Sequence, residues 1–257
     1  TLSLKGKDAK PKKVSNLYGY QSVQFSADGT VAYIDDDSEL FFGPYEKPVS
    51  VDKDVDYFRY DVKSGSVWYR TNDNDLFFMP KGREPERASK DAGAAFISKD
   101  GKSILFGDDD GDIYIKKYGK DKEKLASDTN GPVFATDDLS TFYYLDEDEA
   151  LCMQKGKKEP KVIYDDSCYV VEATENAIVF VGQNKNSGDL YFYDGKDYEE
   201  VEEDVNDAYL YWSDDEFFIV SYHFDDSYGY LIVKDGKYRT FEEMIGEEPD
   251  NFEVDGD

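Results

Sequence analysis

Three aspartates at alternating positions, Asp108, Asp110 and Asp112, carry the most suggestive chemistry in this sequence. Closely spaced carboxylates of this kind are the ligands that Ca²⁺ prefers. An EF-hand loop that started at Asp108 would need glycine at its sixth position and glutamate at its twelfth, but these positions are Ile113 and Gly119. The three aspartates are therefore candidate metal ligands without a matching motif. The alternative interpretation is a hairpin turn, where Asp and Gly tolerate positive φ.

Acidic clusters of this kind recur along the chain, so the chemistry belongs to a set of segments. Aspartates exposed together would attract cationic ligands or protein surfaces at long range. Aromatic side chains on neighbouring strands could add platforms for a sugar or a peptide, although core packing is the alternative for each of them. The candidate binding-face residues are Asp36, Asp37, Asp73, Asp75, Asp109, Asp110, Asp146, Asp148, Tyr57, Tyr211 and Trp212.

The sequence contains no catalytic motif that we recognise. It has no G-x-S-x-G nucleophile elbow, P-loop, G-x-G-x-x-G or H-E-x-x-H pattern. His223 is the single histidine, and its Tyr- and Phe-rich surroundings favour a structural role over a Ser-His-Asp triad. We predict no catalytic residue and no enzyme activity. A carboxylate-pair glycosidase stays open as an alternative, because acids are abundant and their separation cannot be read from sequence.

The composition limits the partners. The formal net charge of −28 over 257 residues repels nucleic acid and anionic lipid, so we predict no nucleic-acid partner. No apolar run has the length of a membrane helix, and we predict no membrane span within this chain. Cys152 and Cys168 are the two cysteines, which excludes a disulfide framework and leaves open whether they pair. Calcium is the one cofactor that we consider; otherwise none is predicted.

The elements that would position these residues form an internal repeat. A short apolar run such as "ELFF" or "DLYF" follows each acidic segment, at intervals of about 36 to 40 residues. Each copy contains four runs rich in Val, Ile, Tyr and Phe that are separated by turn residues, which is typical of strands. The third runs begin at Glu39, Asp75, Asp112, Ala150, Asp189 and Gly229. The second run is the most apolar, as expected for a strand buried on both faces.

This period predicts an all-β fold, a β-propeller of four-stranded antiparallel blades in a single domain, 1–257. Six repeats lie at about 22–55, 56–92, 93–130, 131–167, 168–205 and 206–246. The termini, 1–16 and 250–257, resemble parts of one further blade, which gives seven blades with the last closed by both chain ends. Six blades is the alternative. We also predict one short helical turn in "TFEEMIG", where Thr240 and Glu243 match a capping box.

Strand alternation in such a blade sorts the turns onto two edges. The turns after the second and fourth strands carry the acidic clusters. The turns after the first and third strands carry Lys81, Arg83, Lys116, Lys117, Lys120, Lys122, Lys124, Lys155, Lys157, Lys158, Lys237 and Arg239, together with Lys5, Lys7, Lys10, Lys12 and Lys13 near the start of the chain. The pattern predicts one strongly acidic face and one mixed-to-basic face. Charge that only blocks association between strand edges is the alternative explanation.

The third repeat, "FISKDGKSILFGDDDGDIYIKKYGKDKEKLASD" (96–128), resembles the WD40-like repeat of TolB-type β-propellers. Both have an apolar strand, Ser-x-Asp-Gly, a second apolar strand, an acidic glycine turn, "DIY" and a glycine hairpin. The other repeats match mainly in hydrophobic pattern. The resemblance implies a propeller like those in periplasmic or cell-surface binding proteins and in non-catalytic peptidase domains, and it brings no catalytic residues.

We therefore expect a non-catalytic, extracytoplasmic binding or protein-interaction propeller of bacterial type. Its acidic face would contact a protein or a cationic or carbohydrate ligand, and we expect a monomer. Because the chain begins at Thr1, we expect secretion or anchoring through a segment absent from this chain. A glycosidase-type enzyme and a calcium-stabilised structural module are the alternatives.

Overall fold

A computed structural model describes residues 23–183, 188–213, 217–224 and 227–245. Its chain divides into two compact units. The first extends to Pro132 and includes Asp137–Leu139, and the second comprises Val133–Thr136 and the chain from Ser140 onward. The predicted closing blade, 1–16 with 250–257, lies outside the described residues. The described part contains no helix with the length and hydropathy of a membrane span.

The first unit contains three four-stranded antiparallel sheets, each a simple meander in chain order. The first sheet consists of β1 (Val23–Phe25), β2 (Thr30–Ile34), β3 (Leu40–Pro44) and β4 (Val49–Asp52). The second consists of β5 (Val55–Asp61), β6 (Ser66–Thr71), β7 (Leu76–Met79) and β8 (Glu86–Ser89). The third consists of β9 (Ala92–Ile97), β10 (Ser103–Asp108), β11 (Ile113–Lys117) and β12 (Lys122–Ala126).

The second unit contains one four-stranded sheet and one seven-stranded sheet. The four-stranded sheet consists of β13 (Thr129–Ala135), β14 (Thr141–Asp146), β15 (Leu151–Lys155) and β16 (Lys161–Tyr164). The seven-stranded sheet consists of β17 (Cys168–Ala173), β18 (Ile178–Gln183), β19 (Gly188–Tyr193), β20 (Tyr198–Ser213), β21 (Phe217–Phe224), β22 (Ser227–Lys234) and β23 (Lys237–Thr240).

Within each unit, neighbouring sheets pack face to face and bury their second strands, as predicted. In β6, Val67 and Tyr69 pack toward the first sheet, whereas Trp68 packs toward the third. This alternation follows from the two-residue period of side chains in a strand. Phe106 on β10 and Phe180 on β18 are likewise fully buried. In the first unit the core therefore lies between successive sheets, whereas the seven-stranded sheet of the second unit encloses a buried cluster of its own, which includes Val181, Val220 and Val233.

The seven-stranded sheet differs from the expected blade boundary between 205 and 206. That boundary falls inside β20, whose first half pairs with β19 and whose second half pairs with β21. Instead of a turn, the backbone takes a left-handed conformation at Asp204 (φ 54°) and the register shifts between Val205 and Asp207. A bulge of this kind bends a strand and lets it continue into the next pairing.

Side-chain hydrogen bonds hold the turns of the Ser-x-Asp-Gly segments and the start of the helix. The Ser98 hydroxyl donates to Asp100 Oδ1 at 2.8 Å, and the Ser26 hydroxyl donates to Asp28 in the same way. The short helix α1 (Phe241–Ile245) follows Thr240. Its capping box is formed, because Thr240 N donates to Glu243 Oε2 at 3.1 Å and Glu243 N donates to Thr240 Oγ1 at 3.3 Å.

Candidate functional site: the acidic edge

The turn between β10 and β11 shows how an acidic cluster is built. Asp108 N donates to the Asp112 carbonyl at 3.0 Å, and Gly111 N donates to the Asp108 carbonyl at 3.1 Å. Asp112 N donates to Asp108 Oδ1 at 3.1 Å. The first aspartate of the cluster thus uses its carboxylate to hold the turn, which is a local structural role.

The same arrangement occurs in other turns after second strands. In the first sheet, Asp35 Oδ1 accepts from Asp37 N at 3.1 Å and from Glu39 N at 3.0 Å. In the second unit, Asp146 Oδ1 accepts from Asp148 N at 3.0 Å and from Ala150 N at 2.9 Å. The second and third acids of each cluster lie exposed at the tip of the turn.

Backbone hydrogen bonds join the turns of the first unit to the links between its sheets. Three of these bonds run from Val55 N to the Ser38 carbonyl (2.9 Å), from Asn72 N to the Asp54 carbonyl (2.7 Å) and from Ala92 N to the Asn74 carbonyl (3.1 Å). The series continues from Asp109 N to the Asp91 carbonyl (2.9 Å) and from Thr129 N to the Gly111 carbonyl (2.9 Å). We call this joined set of turns and links the acidic edge; it comprises residues 35–39, 53–55, 71–75, 90–92, 108–112 and 127–129.

Backbone geometry explains part of the aspartate content of this edge. Asp54, Asp91 and Asp128 in the links have φ of 55°, 48° and 57°. Asn74 in the second turn has φ of 60°. Asp and Asn tolerate this left-handed region better than most side chains, so the same residues that fold the edge also make it acidic.

The candidate aspartates of the acidic edge have unequal surroundings. Asp37, Asp73, Asp109 and Asp110 are exposed, and no described cation lies within ion-pair distance of their carboxylates. Asp36 is exposed as well. Asp75 instead pairs with Arg87 at 3.2 Å. The tips of all three turns thus present carboxylates to solvent.

The three aspartates that were considered as calcium ligands do not converge. Asp108 Oδ2 lies 3.6 Å from Lys122 Nζ, and the Asp112 carboxylate pairs with Lys124 and accepts from Tyr114 Oη at 3.0 Å. The Lys124 ammonium holds the pKa of Asp112 below its usual range. These ion pairs leave little capacity for a cation at Asp108 and Asp112.

Another group of three carboxylates, Asp35, Asp36 and Asp37, has ligand atoms within 4.8 Å of one another. Asp35 is buried and already accepts two amide protons, so it has one oxygen to spare. The sequence around these three aspartates matches no calcium motif, so only their geometry brings them together as a group. A cluster of acids without a further feature does not identify a metal site.

A groove of about 600 Å³ adjoins the acidic edge. It is bordered by carboxylates at Asp91, Asp108, Asp109, Asp110 and Asp121 and by cations at Arg87, Lys90, Lys116 and Lys122. Lys122 is held in place, because its ammonium contacts Ser89 Oγ at 3.1 Å and lies 3.8 Å from the centre of the Tyr114 ring. The groove therefore has charges of both signs beside the exposed aspartate tips.

The candidate aromatic residues lie on first strands and are exposed. Tyr57 on β5 is 44% exposed and packs its ring 5.2 Å from that of Trp68. In the second unit, Tyr211 and Trp212 on β20 are 49% and 43% exposed, in a run of five exposed residues, 209–213. Strict alternation would have buried about half of this run, but Tyr209 and Leu210 pair in regular register and are both exposed.

His223 and the cysteines have structural surroundings. The His223 ring stacks on Tyr228 at 4.6 Å, and no described serine or cysteine hydrogen-bonds to it. Cys152 and Cys168 are both free and buried. Burial raises the pKa of Cys152 to about 11 and that of Cys168 to about 12, so both thiols are protonated at neutral pH and are poor nucleophiles.

No protein-family model matches the sequence, and no curated protein does. Among solved structures, the chain is similar to the tricorn protease, with 14% identity and a TM-score of 0.59 over 92% of this chain and 31% of that one. It is also similar to the β-propeller domain of the Trilobed protease from Pyrococcus furiosus, with 10% identity and a TM-score of 0.52 over 82% of this chain and 79% of that one.

These likenesses confirm the predicted fold, a β-propeller built largely from four-stranded antiparallel blades. The chain spans about a third of the tricorn protease. At such low identity the likeness concerns the fold alone, and the function has to be argued from the residues of this chain.

Proposed function

We propose that this chain is a non-catalytic binding propeller of the TolB type whose acidic edge contacts a basic segment of a partner protein. The observation that supports the proposal is the position of Asp37, Asp73, Asp109 and Asp110. These four exposed carboxylates sit at turn tips that backbone hydrogen bonds join into one edge. A joined edge holds its charges at fixed spacing, which favours binding of a partner with several cations.

The division of roles among the aspartates strengthens this argument. Asp35 and Asp108 fold the turns through their carboxylates, whereas Asp37 and Asp109 contribute backbone amides and not their carboxylates. Several negative charges close together repel one another and cost stability unless a cation offsets them. A basic partner supplies that cation. The tip acids can therefore be changed without loss of the fold, which makes the proposal testable.

The test uses deca-lysine as a basic probe and measures its affinity by fluorescence anisotropy at low ionic strength. The variant D37N/D73N/D109N/D110N removes four charges from the acidic edge. An exposed ion pair contributes about 0.2–1 kcal/mol, so losing four should weaken binding roughly four-fold or more. Rising salt should reduce the affinity of the unaltered protein more steeply than that of the variant.

The matched control is E84Q/E159Q/E175Q/D197N, which removes the same number of charges from exposed positions in turns after first or third strands. We expect it to bind within two-fold of the unaltered protein. Equal weakening in both variants would mean that net charge, and not the edge, attracts the probe. Unchanged binding in the edge variant would contradict the proposed contact surface.

We further propose that the protein acts outside the cytoplasm. The support is the resemblance of the third repeat to TolB-type propellers, and the free, buried Cys152 and Cys168 are compatible with either redox environment. Fractionation of the producing cells tests this directly. Recovery of the native protein from the cytosol would overturn the assignment.

A further inference from the structure

A second cavity lies at the opposite edge of the first unit and has the opposite charge. Its volume is about 490 Å³, and it is bordered by turns after the first and third strands of the second and third sheets. Five cations and a single carboxylate line it: Lys81, Arg83, Lys102, Lys117, Lys120 and Asp100. Because the whole chain has a formal net charge of −28, this local excess of cations makes the cavity a candidate site for an anionic ligand.

The single carboxylate is already occupied. Asp100 Oδ1 accepts from the Ser98 hydroxyl at 2.8 Å and from Lys102 N at 3.0 Å, and the first of these holds the pKa of Asp100 below its usual range. Asp100 Oδ2 lies 3.6 Å from Lys102 Nζ. Among the described residues, no carboxylate is within ion-pair distance of the remaining four cations. Their charges are therefore not neutralised by direct ion pairs, and the Asp28 carboxylate acts on Lys81 only from beyond ion-pair distance.

Contacts between the second and third sheets hold the cavity walls. The Ser66 hydroxyl donates to the Gly101 carbonyl at 3.3 Å, which ties the β5–β6 turn to the β9–β10 turn. The Tyr118 hydroxyl donates to the Glu84 carbonyl at 3.0 Å, which ties the β11–β12 turn to the β7–β8 turn. The three turns that carry the cations are therefore tied to neighbouring turns before any ligand arrives, and preorganised donors lose less entropy on binding.

Lys81 has a defined path into the cavity. Its methylene stem lies against Gly65, where an added Cβ would come within 2.8 Å of Lys81 Cδ. Gly65 also has φ of 74°, a left-handed conformation that glycine adopts without strain. The absence of a side chain at Gly65 thus leaves room for the methylene stem of Lys81, which leads toward the cavity.

We propose that this cavity binds an anion that carries two or more phosphate groups. Four cations without a direct ion pair favour a ligand that has at least two negative charges. Arg83 can donate two parallel hydrogen bonds to phosphate oxygens, and the lysines act as point charges around it. The volume exceeds that of a single phosphate and falls within the range of cavities that bind small organic ligands.

The experiment titrates inorganic tripolyphosphate into the protein by isothermal titration calorimetry at low ionic strength. We expect saturable binding of one tripolyphosphate per chain, and at least ten-fold weaker binding by K117Q/K120Q. R83K keeps the charge and removes the planar donor pair, so we expect several-fold weaker binding there. The matched control, K53Q/K90Q, removes two exposed lysines from the acidic edge of the same unit and should bind as the unaltered protein does.

A measurement on the unaltered protein covers the case in which a variant fails to fold. Tripolyphosphate should protect Lys81, Lys117 and Lys120 from amine acetylation, read by mass spectrometry, and leave Lys53 and Lys90 unprotected. Non-saturable heat, uniform protection or equal weakening in K53Q/K90Q would overturn the site. Citrate binding as tightly as tripolyphosphate would overturn the assignment to phosphate.

Discussion

Substituting Gly111 tests whether the backbone hydrogen bonds really join the acidic edge. Gly111 has φ of 77°, and an added Cβ would lie 3.0 Å from the Thr129 carbonyl oxygen and 3.4 Å from Thr129 N. Thr129 gives two hydrogen bonds to the Gly111 carbonyl, from N at 2.9 Å and from Oγ1 at 3.0 Å. G111A must therefore displace Thr129 and weaken both bonds. Gly119 is a matched control, because it has φ of 71° and nothing within 4 Å of an added Cβ.

Both variants place an alanine in the left-handed conformation, but only G111A also weakens the hydrogen bonds of Thr129. A left-handed alanine costs about 1–2 kcal/mol at either position. The two hydrogen bonds of Thr129 contribute about 0.5–1.5 kcal/mol each, so G111A should lose about 1–3 kcal/mol beyond G119A.

The assay is urea unfolding of the two variants and the parent, followed by circular dichroism. The expected order of unfolding midpoints is parent, then G119A, then G111A. Equal midpoints for the two variants would refute the role assigned to the contact between the turn and the Thr129 link. A G111A variant of parental stability would also show that the turn does not need a left-handed residue.

Three further predictions follow from single groups. K116M removes the ion pair between Lys116 and Glu86 (2.7 Å), which joins the second and third sheets. Because Lys116 is buried and Glu86 is partly buried, the free energy of unfolding should fall by about 1–3 kcal/mol, as measured by chemical unfolding. The Ser26 hydroxyl lowers the pKa of Asp28 from 3.8 to about 2. The stability that the Asp28 carboxylate adds is therefore complete above pH 3.8 and disappears as the pH falls toward 2. The difference in Tm between D28N and the parent should shrink over that pH range and not elsewhere. Cys152 and Cys168 should resist maleimide at neutral pH until the protein is denatured, and rapid labelling of the native protein would contradict their buried, protonated state.

The sequence predicts the repeat because a blade strand that is buried on both faces appears as a continuous apolar run. The runs around Tyr33, Phe106 and Phe180 are apolar without alternation, and turn residues bound them. The bulge at 204–207 could not be predicted from the sequence, because its acidic residues resemble those of the links that form turns. Whether such residues form a turn or a bulge depends on backbone pairing with β19 and β21, which composition does not reveal.

The candidate site was predictable in outline but not in the roles of its residues. Sequence placed Asp108, Asp110 and Asp112 together, yet Asp108 caps the turn, Asp112 pairs with a lysine, and Asp110 lies exposed. Which carboxylate turns inward depends on hydrogen-bond geometry within the turn. Lys122 and Lys124 on β12 pair with Asp108 at the end of β10 and with Asp112 in the turn before β11. These ion pairs become visible only once the strand register is known.

The most direct test of the acidic edge is a map of where a basic probe binds. Deca-lysine is joined to the unaltered protein by a zero-length carbodiimide reaction, which links an amine to a carboxylate in contact with it, and the linked residues are read by mass spectrometry. The account predicts links concentrated at Asp37, Asp73, Asp109 and Asp110, reduced by salt. Links spread over the exposed acids of the whole chain, or concentrated in turns after first and third strands, would contradict it.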